Sequence, residues 1–246
     1  MNNPARNPID SVPATSSASI AFGTLLGACF IGLSGPIQTV ALVLESIGLI
    51  LFIGGVLLRR RNHIIVGRIL TAVGVIAAVS VLVSIVALYP SLPILLISLS
   101  CTVGVLIFTL GVFPVYAKVA YPFAVTGVSF VFISMVANTV IDPPPFWRSA
   151  VAVSCVLLTW GIADRAITLG RQVGGTAETI SAEVTGISVD IAVTVTAILL
   201  TIGASLIPLS SPSFVGLALF LLALLAFILA LCHVPQMYSP QVRQER

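Results

Sequence analysis

What constrains this chain most is a train of apolar runs, each about as long as a bilayer is thick, with almost no charge inside them. A run of about 18 or more apolar residues is the length of a helix that crosses the hydrocarbon core. One such run can be the buried helix of a soluble domain. A train of them cannot, because too few polar residues remain to face water. Only 8% of the 246 residues are charged and 58% are hydrophobic, whereas a soluble domain carries roughly a quarter charged. Lipid is the solvent such a chain requires, and it offers unpaired backbone groups no partner. Helices satisfy them internally, while a barrel would show short alternating segments, which this sequence lacks. The expected fold is all-α, a polytopic integral membrane helical bundle.

The breaks between runs place about eight transmembrane helices, over residues 17–34, 37–58, 66–89, 92–112, 122–141, 149–166, 186–207 and 213–233. A polar lead at 1–16, rich in Asn, Pro and Ser, precedes this 17–233 domain, and a tail at 234–246 follows it. The first run also suits a signal-peptide core with Arg6 as a weak positive flank. No convincing small-x-small cleavage site follows, so a retained helix is expected. The connections at 34–36, 90–91 and 208–212 are too short for a soluble domain and force antiparallel hairpins.

Cationic side chains give the orientation. Threading eight spans puts Arg6, Arg59, Arg60, Arg61, Arg68, Lys118, Arg165, Arg171, Arg243 and Arg246 on one side, and only Arg148 on the other. Positive residues gather on the cytoplasmic face, so both termini are expected in the cytoplasm of a cell-membrane protein. Tyr89, Phe146 and Trp147 then fall at outer ends and Tyr116 and Tyr121 at inner ones, the depth that interfacial aromatics favour. The run Asp142-Pro143-Pro144-Pro145-Phe146-Trp147 reads as a rigid extended cap outside the membrane.

Several function classes fall away. The net charge of +3 comes from eleven Lys and Arg at topological positions, with no basic stripe interleaved with aromatics, so nucleic acid is excluded as a partner. Cys29, Cys101, Cys155 and Cys232 lie inside apolar runs without paired spacing and read as small buried hydrophobes. His63 and His233 sit singly at helix ends. No zinc protease motif, phosphate loop, nucleophile elbow or cytochrome-like histidine pair is present, so no catalytic residue, cofactor or metal is assigned.

Two acidic residues lie in apolar runs. Glu45 sits about 12 Å along the second span, at ~1.5 Å per residue, where an ionised carboxylate is costly. It reads either as a proton or cation site or as a neutral acid hydrogen-bonded to a Ser or Thr that holds helices together. Asp190 enters the seventh span about one turn past Gly186, within reach of Arg165 or Arg68. Arg59-Arg60-Arg61 reads as a stop-transfer signal and anionic-lipid anchor. Gly23 and Gly27 mark an expected close-packing face on the first helix.

The longest connection, 164–183, reads as a helical hairpin. Ile162, Ala166, Leu169 and Val173 share one helical face, Gly174-Gly175 breaks the helix, and Thr176 with Glu178 starts the next. Its polar residues Asp164, Arg165, Arg171, Gln172, Glu178 and Glu183 either dock a cytoplasmic partner or simply face water. Trp160-Gly161, Asp164, Leu169-Gly170-Arg171-Gln172, Gly174 and Ala177-Glu178 through Glu183 make this stretch resemble one in uncharacterised haloarchaeal multi-pass membrane proteins. Genes of that family often neighbour those of a MoxR-type ATPase and a von Willebrand-like protein. The resemblance implies an accessory role in a membrane complex and assigns no catalytic residue.

Three functions remain, in order. A structural or accessory subunit of a membrane complex, with lipid and other membrane or cytoplasmic proteins as partners, suits tiny loops and scarce intramembrane charge. A small-solute or ion transporter or channel using Glu45 is the alternative. An intramembrane enzyme comes last, lacking any nucleophile-and-base constellation.

Overall fold

A computed structural model describes residues 13–33, 35–88, 91–114, 119–142, 144–173 and 180–205. The elements are α1 (Thr15–Gly32), α2 (Pro36–Arg60), α3 (Ile64–Leu88), α4 (Leu92–Val112), α5 (Ala120–Ile141), α6 (Phe146–Val173) and α7 (Ile180–Ser205), with no strand among the described residues. The six helices α1 to α6 are long and apolar enough to cross a membrane. The seventh expected span corresponds to α7, whose apolar stretch Ser188–Gly203 is shorter. The eighth, at 213–233, lies outside the described residues, as do 1–12 of the lead and the tail at 234–246. The chain forms two compact units, Met1–Gly203 and Ala204–Arg246, and the bundle belongs to the first.

Helix α4 touches α1, α2, α3, α5 and α6 and so forms the centre of the bundle. Around it, α2 pairs with α3, α5 with α4 and α6, and α1 with α6. Lipid tails are as apolar as leucine, so helices associate through close packing rather than exclusion from water. Glycines spaced seven apart supply that closeness. A Cβ on Gly48 would lie 3.0 Å from the Ala78 nitrogen and one on Gly67 2.8 Å from the Arg59 nitrogen, while Gly74 lies against the Phe52 backbone. Gly104, Gly111 and Gly127 bring α4 and α5 together in the same way.

At the expected close-packing face of Gly23 and Gly27, nothing among the described residues lies within 4 Å of a Cβ added at either position. Helix α1 packs instead through Ala18, Ala21, Phe22, Leu25, Ala28 and Cys29, the opposite side of the helix, where alanines already permit approach to α6. A Gly-x-x-x-Gly spacing gives close approach only where a neighbour is placed.

Helix ends are tied by specific hydrogen bonds. After α2, Asn62 adopts φ 72°, the Asn62 N–H donates to Arg59 O (3.2 Å), and the His63 N–H donates to Leu58 O (3.0 Å). This is a left-handed helix stop that turns the chain straight into α3. At the opposite end, Asn138 Nδ2 donates to Gly32 O (3.0 Å) and Arg148 Nε to Ile31 O (3.1 Å), closing the last carbonyls of α1. The Ala14 N–H donates to Ala166 O (3.1 Å), which fixes the start of α1 beside α6. The bundle thus has an arginine end, with Arg59, Arg60, Arg61, Arg68 and Arg165, and an asparagine end, with Asn138 and Arg148.

Candidate functional site: a buried carboxyl in the bundle

Helix α2 begins with proline at Pro36, whose missing N–H costs nothing in a first turn. The Gly35 N–H donates to Gln38 Oε1 (3.1 Å), and Gln38 Nε2 donates across to Ser98 Oγ on α4 (3.1 Å). Those bonds set the rotation of α2. One turn and two turns further along the same face lie Leu42 and Glu45, both fully buried. Glu45 is nine residues into α2 from Pro36, and Cys101 is nine into α4 from Leu92, so both lie about 13 Å below the asparagine end.

Glu45 has 0% of its surface exposed, and neither carboxyl oxygen has a hydrogen-bond partner among the described residues. Hydroxyls nearby are otherwise committed. Ser46 Oγ donates to Leu42 O (2.6 Å) and Thr102 Oγ1 to Ser98 O (2.9 Å). The glue expected of a neutral acid bonded to Ser or Thr is therefore not made. What does lie within electrostatic reach of Glu45 is a pair of thiols, Cys29 on α1 and Cys101 on α4. Their sulfurs approach to 3.5 Å, and both are free cysteines with 0% exposure. Sequence spacing gave no hint of this pairing, because 72 residues separate the two. No group of three or more His, Cys, Asp or Glu among the described residues is arranged to hold a metal.

The second acidic residue behaves differently. Arg165 Nη2 donates to Asp190 Oδ1 at 2.8 Å, with side-chain exposures of 41% and 21%. Of the two arginines within expected reach it is Arg165 that pairs, since α6 lies beside α7 at Gly161, where a Cβ would be 3.5 Å from Asp190 Oδ2. That second oxygen has no hydrogen-bond partner among the described residues. Arg68 lies at the start of α3, apart from this pair.

The hairpin is described in part. Helix α6 runs to Val173 and α7 begins at Ile180, with the expected break at Gly174-Gly175 and Glu178 outside the described residues. Arg171 and Gln172 lie in the last turn of α6, and Glu183 in the first turn of α7. Toward the end of α6, Ile162, Ala163, Ala166 and Ile167 are buried; of the expected face, Ile162 and Ala166 are buried, Leu169 is half-buried, and the Val173 side chain lies outside the described residues. Arg59, Arg60 and Arg61 sit together at the end of α2, with Arg60 and Arg61 exposed, the position a lipid-headgroup anchor requires. Phe146 and Trp147 are exposed at the start of α6. Tyr121, at the arginine end, stacks edge-on against Trp160 with ring centroids 5.9 Å apart.

Fold and site together give an all-helical chain with six helices long and apolar enough to cross a membrane and, among the described residues, one fully buried carboxyl. The chain belongs to DUF7519, a family of unknown function, which matches residues 76–228. No curated protein and no solved structure matches it. The matched stretch begins inside α3, so Glu45 and Cys29 precede it, while Cys101, Arg165, Asp190 and the 164–183 hairpin lie within it.

Proposed function

We propose that the protein is a membrane transporter or channel whose working group is Glu45, and that the ion it handles is a proton. The observation that carries this reading is a wholly buried carboxyl with both oxygens free of hydrogen-bond partners among the described residues. A charge sealed in an apolar site costs several kcal/mol or more unless it is paired, so the resting form is the neutral acid. Hard metal cations require several oxygen ligands, as Ca²⁺ and Mg²⁺ illustrate with about six. The groups within electrostatic reach of Glu45 include the Cys29 and Cys101 thiols, which are poor ligands for a hard cation, and this favours a proton over such an ion.

The test is proton uptake into proteoliposomes driven by a potassium diffusion potential. Wild type is expected to exceed Glu45→Gln by tenfold or more, with both proteins eluting alike in size-exclusion chromatography. Equal rates in the two would remove this function. The topology that goes with it has eight spans with the arginine end and both termini in the cytoplasm, which alkylation of single cysteines placed at 62 and 240 would check. No catalytic residue, cofactor or nucleic-acid partner is part of the proposal.

A second reading, an accessory subunit of a membrane complex, draws on α6. Its 28 residues give about 42 Å of helix against a hydrocarbon core of about 30 Å, and residues 167–173 extend beyond the start of α1. That extension leads into the hairpin resembling the haloarchaeal proteins, and it lies inside the family match. Arg171, Gln172, Glu178 and Glu183 are then docking residues for a cytoplasmic partner. Copurification of an ATPase from native membranes, lost on Arg171→Glu with Glu178→Lys, would support this role.

A further inference from the structure

The buried core holds a pair of nucleophiles that the reading of Glu45 as a proton site does not use. Cys29 lies on the buried face of α1 with Phe22, Leu25 and Ala28. Cys101 lies on the buried face of α4 with Ile97, Val105 and Phe108. The Cys101 thiol donates to Cys29 Sγ at 3.5 Å, both residues are 0% exposed, and both are free. Chain connectivity does not impose this meeting, since 72 residues separate the two and α1 packs chiefly along α6 rather than α4.

We propose that Cys29 and Cys101 form a redox modification site, which hydrogen peroxide oxidises to a disulfide that staples α1 to the central helix α4. A disulfide holds its sulfurs about 2.0 Å apart, so the pair closes by about 1.5 Å, a displacement shared by two side chains turning about their Cα–Cβ bonds. In the first step one sulfur attacks the peroxide O–O bond and becomes a sulfenic acid, and its thiol proton leaves with the departing oxygen as water. In the second the other sulfur attacks the sulfenic sulfur. The S–O bond breaks, and the released hydroxyl takes the second thiol proton as another water. Two thiols thus give up two electrons, and one peroxide is reduced to two waters.

Burial selects both oxidant and product. Hydrogen peroxide is small and neutral, whereas a protein or peptide thiol cannot touch sulfurs with no exposed surface. A sulfenic acid formed there has the second thiol already in contact, while another peroxide must first be admitted. The disulfide therefore forms ahead of sulfinic acid, and the same burial shields it from reductants. Nothing in this proposal depends on Glu45 carrying a proton.

The experiment treats full-length protein in liposomes with hydrogen peroxide and stops the reaction with catalase. The protein is then denatured and alkylated with N-ethylmaleimide, and its peptides are weighed without reductant. The expected product is one species carrying Cys29 and Cys101, two hydrogens lighter than the two peptides together, in most of the chains. Dithiothreitol added after denaturation should restore both thiols, and untreated protein should be alkylated at both. In Cys101→Ser that species should vanish, and Cys29 should gain one or two oxygens instead. Wild-type Cys29 and Cys101 that both stay alkylatable after prolonged treatment overturn the proposal. Linkage of either to Cys155 or Cys232 in place of each other overturns it too, as does sulfinic acid as the main wild-type product.

Discussion

Glu45 and Asp190 are the same chemistry placed in two apolar helices, and the fold treats them differently. Asp190 lies opposite Arg165, and both side chains are partly exposed. Its charge is paired and partly solvated, and the pair ties α7 to α6. Glu45 has no cation anywhere on the helices packed against α2 except Arg68, which lies at the arginine end. A carboxyl with a partner at matching depth is a joint. A carboxyl without one is an expense that packing alone does not explain, and the proposed proton site rests on that difference.

Four substitutions sharpen or break this contrast. The largest effect is expected from Glu45→Arg, which seals a permanent cation among Leu42, Leu49 and the thiols at a cost of about 3 kcal/mol. Recovery of monodisperse protein in detergent should collapse, whereas Asp190→Asn should be recovered normally. Next comes Asn138→Leu. It fills the site with carbon and leaves Gly32 O without its donor, for a loss of about 1–3 kcal/mol read as a lowered unfolding temperature. Glu45→Leu should leave the unfolding temperature unchanged or raised, because an apolar group replaces one that makes no hydrogen bond. A marked drop there would show that the carboxyl is structural and would break the comparison. The smallest loss of stability belongs to Arg165→Ala, at about 0.2–1 kcal/mol, since the pair is partly exposed. A double-mutant cycle with Asp190→Ala measures the coupling directly.

The buried core repeats the lesson in another form. Phe52 and Phe108 belong to different hairpins, and nothing in the order of residues says that both enter one core. Gly23 and Gly27 have the spacing of a packing motif and meet no neighbour among the described residues, while Gly48, Gly55, Gly67 and Gly74 bring the backbones of α2 and α3 together. Which glycine meets a backbone depends on the rotation of its helix. For α2 that rotation is set by the bond from Gln38 to Ser98, 60 residues away.

From the sequence alone came the solvent, the helices and most of their limits, because run length and charge placement are local quantities that lipid reads directly. The sequence also marked Glu45 and Asp190 as costly, since a carboxyl inside an apolar run is visible without coordinates. Only the tertiary structure decided that Arg165 answers Asp190, that no side chain among the described residues hydrogen-bonds Glu45, and that Cys29 lies beside Cys101. Those facts depend on which faces of distant helices meet. Side-chain periodicity lists the faces and cannot match them, so pairing across the bundle is settled by three-dimensional packing.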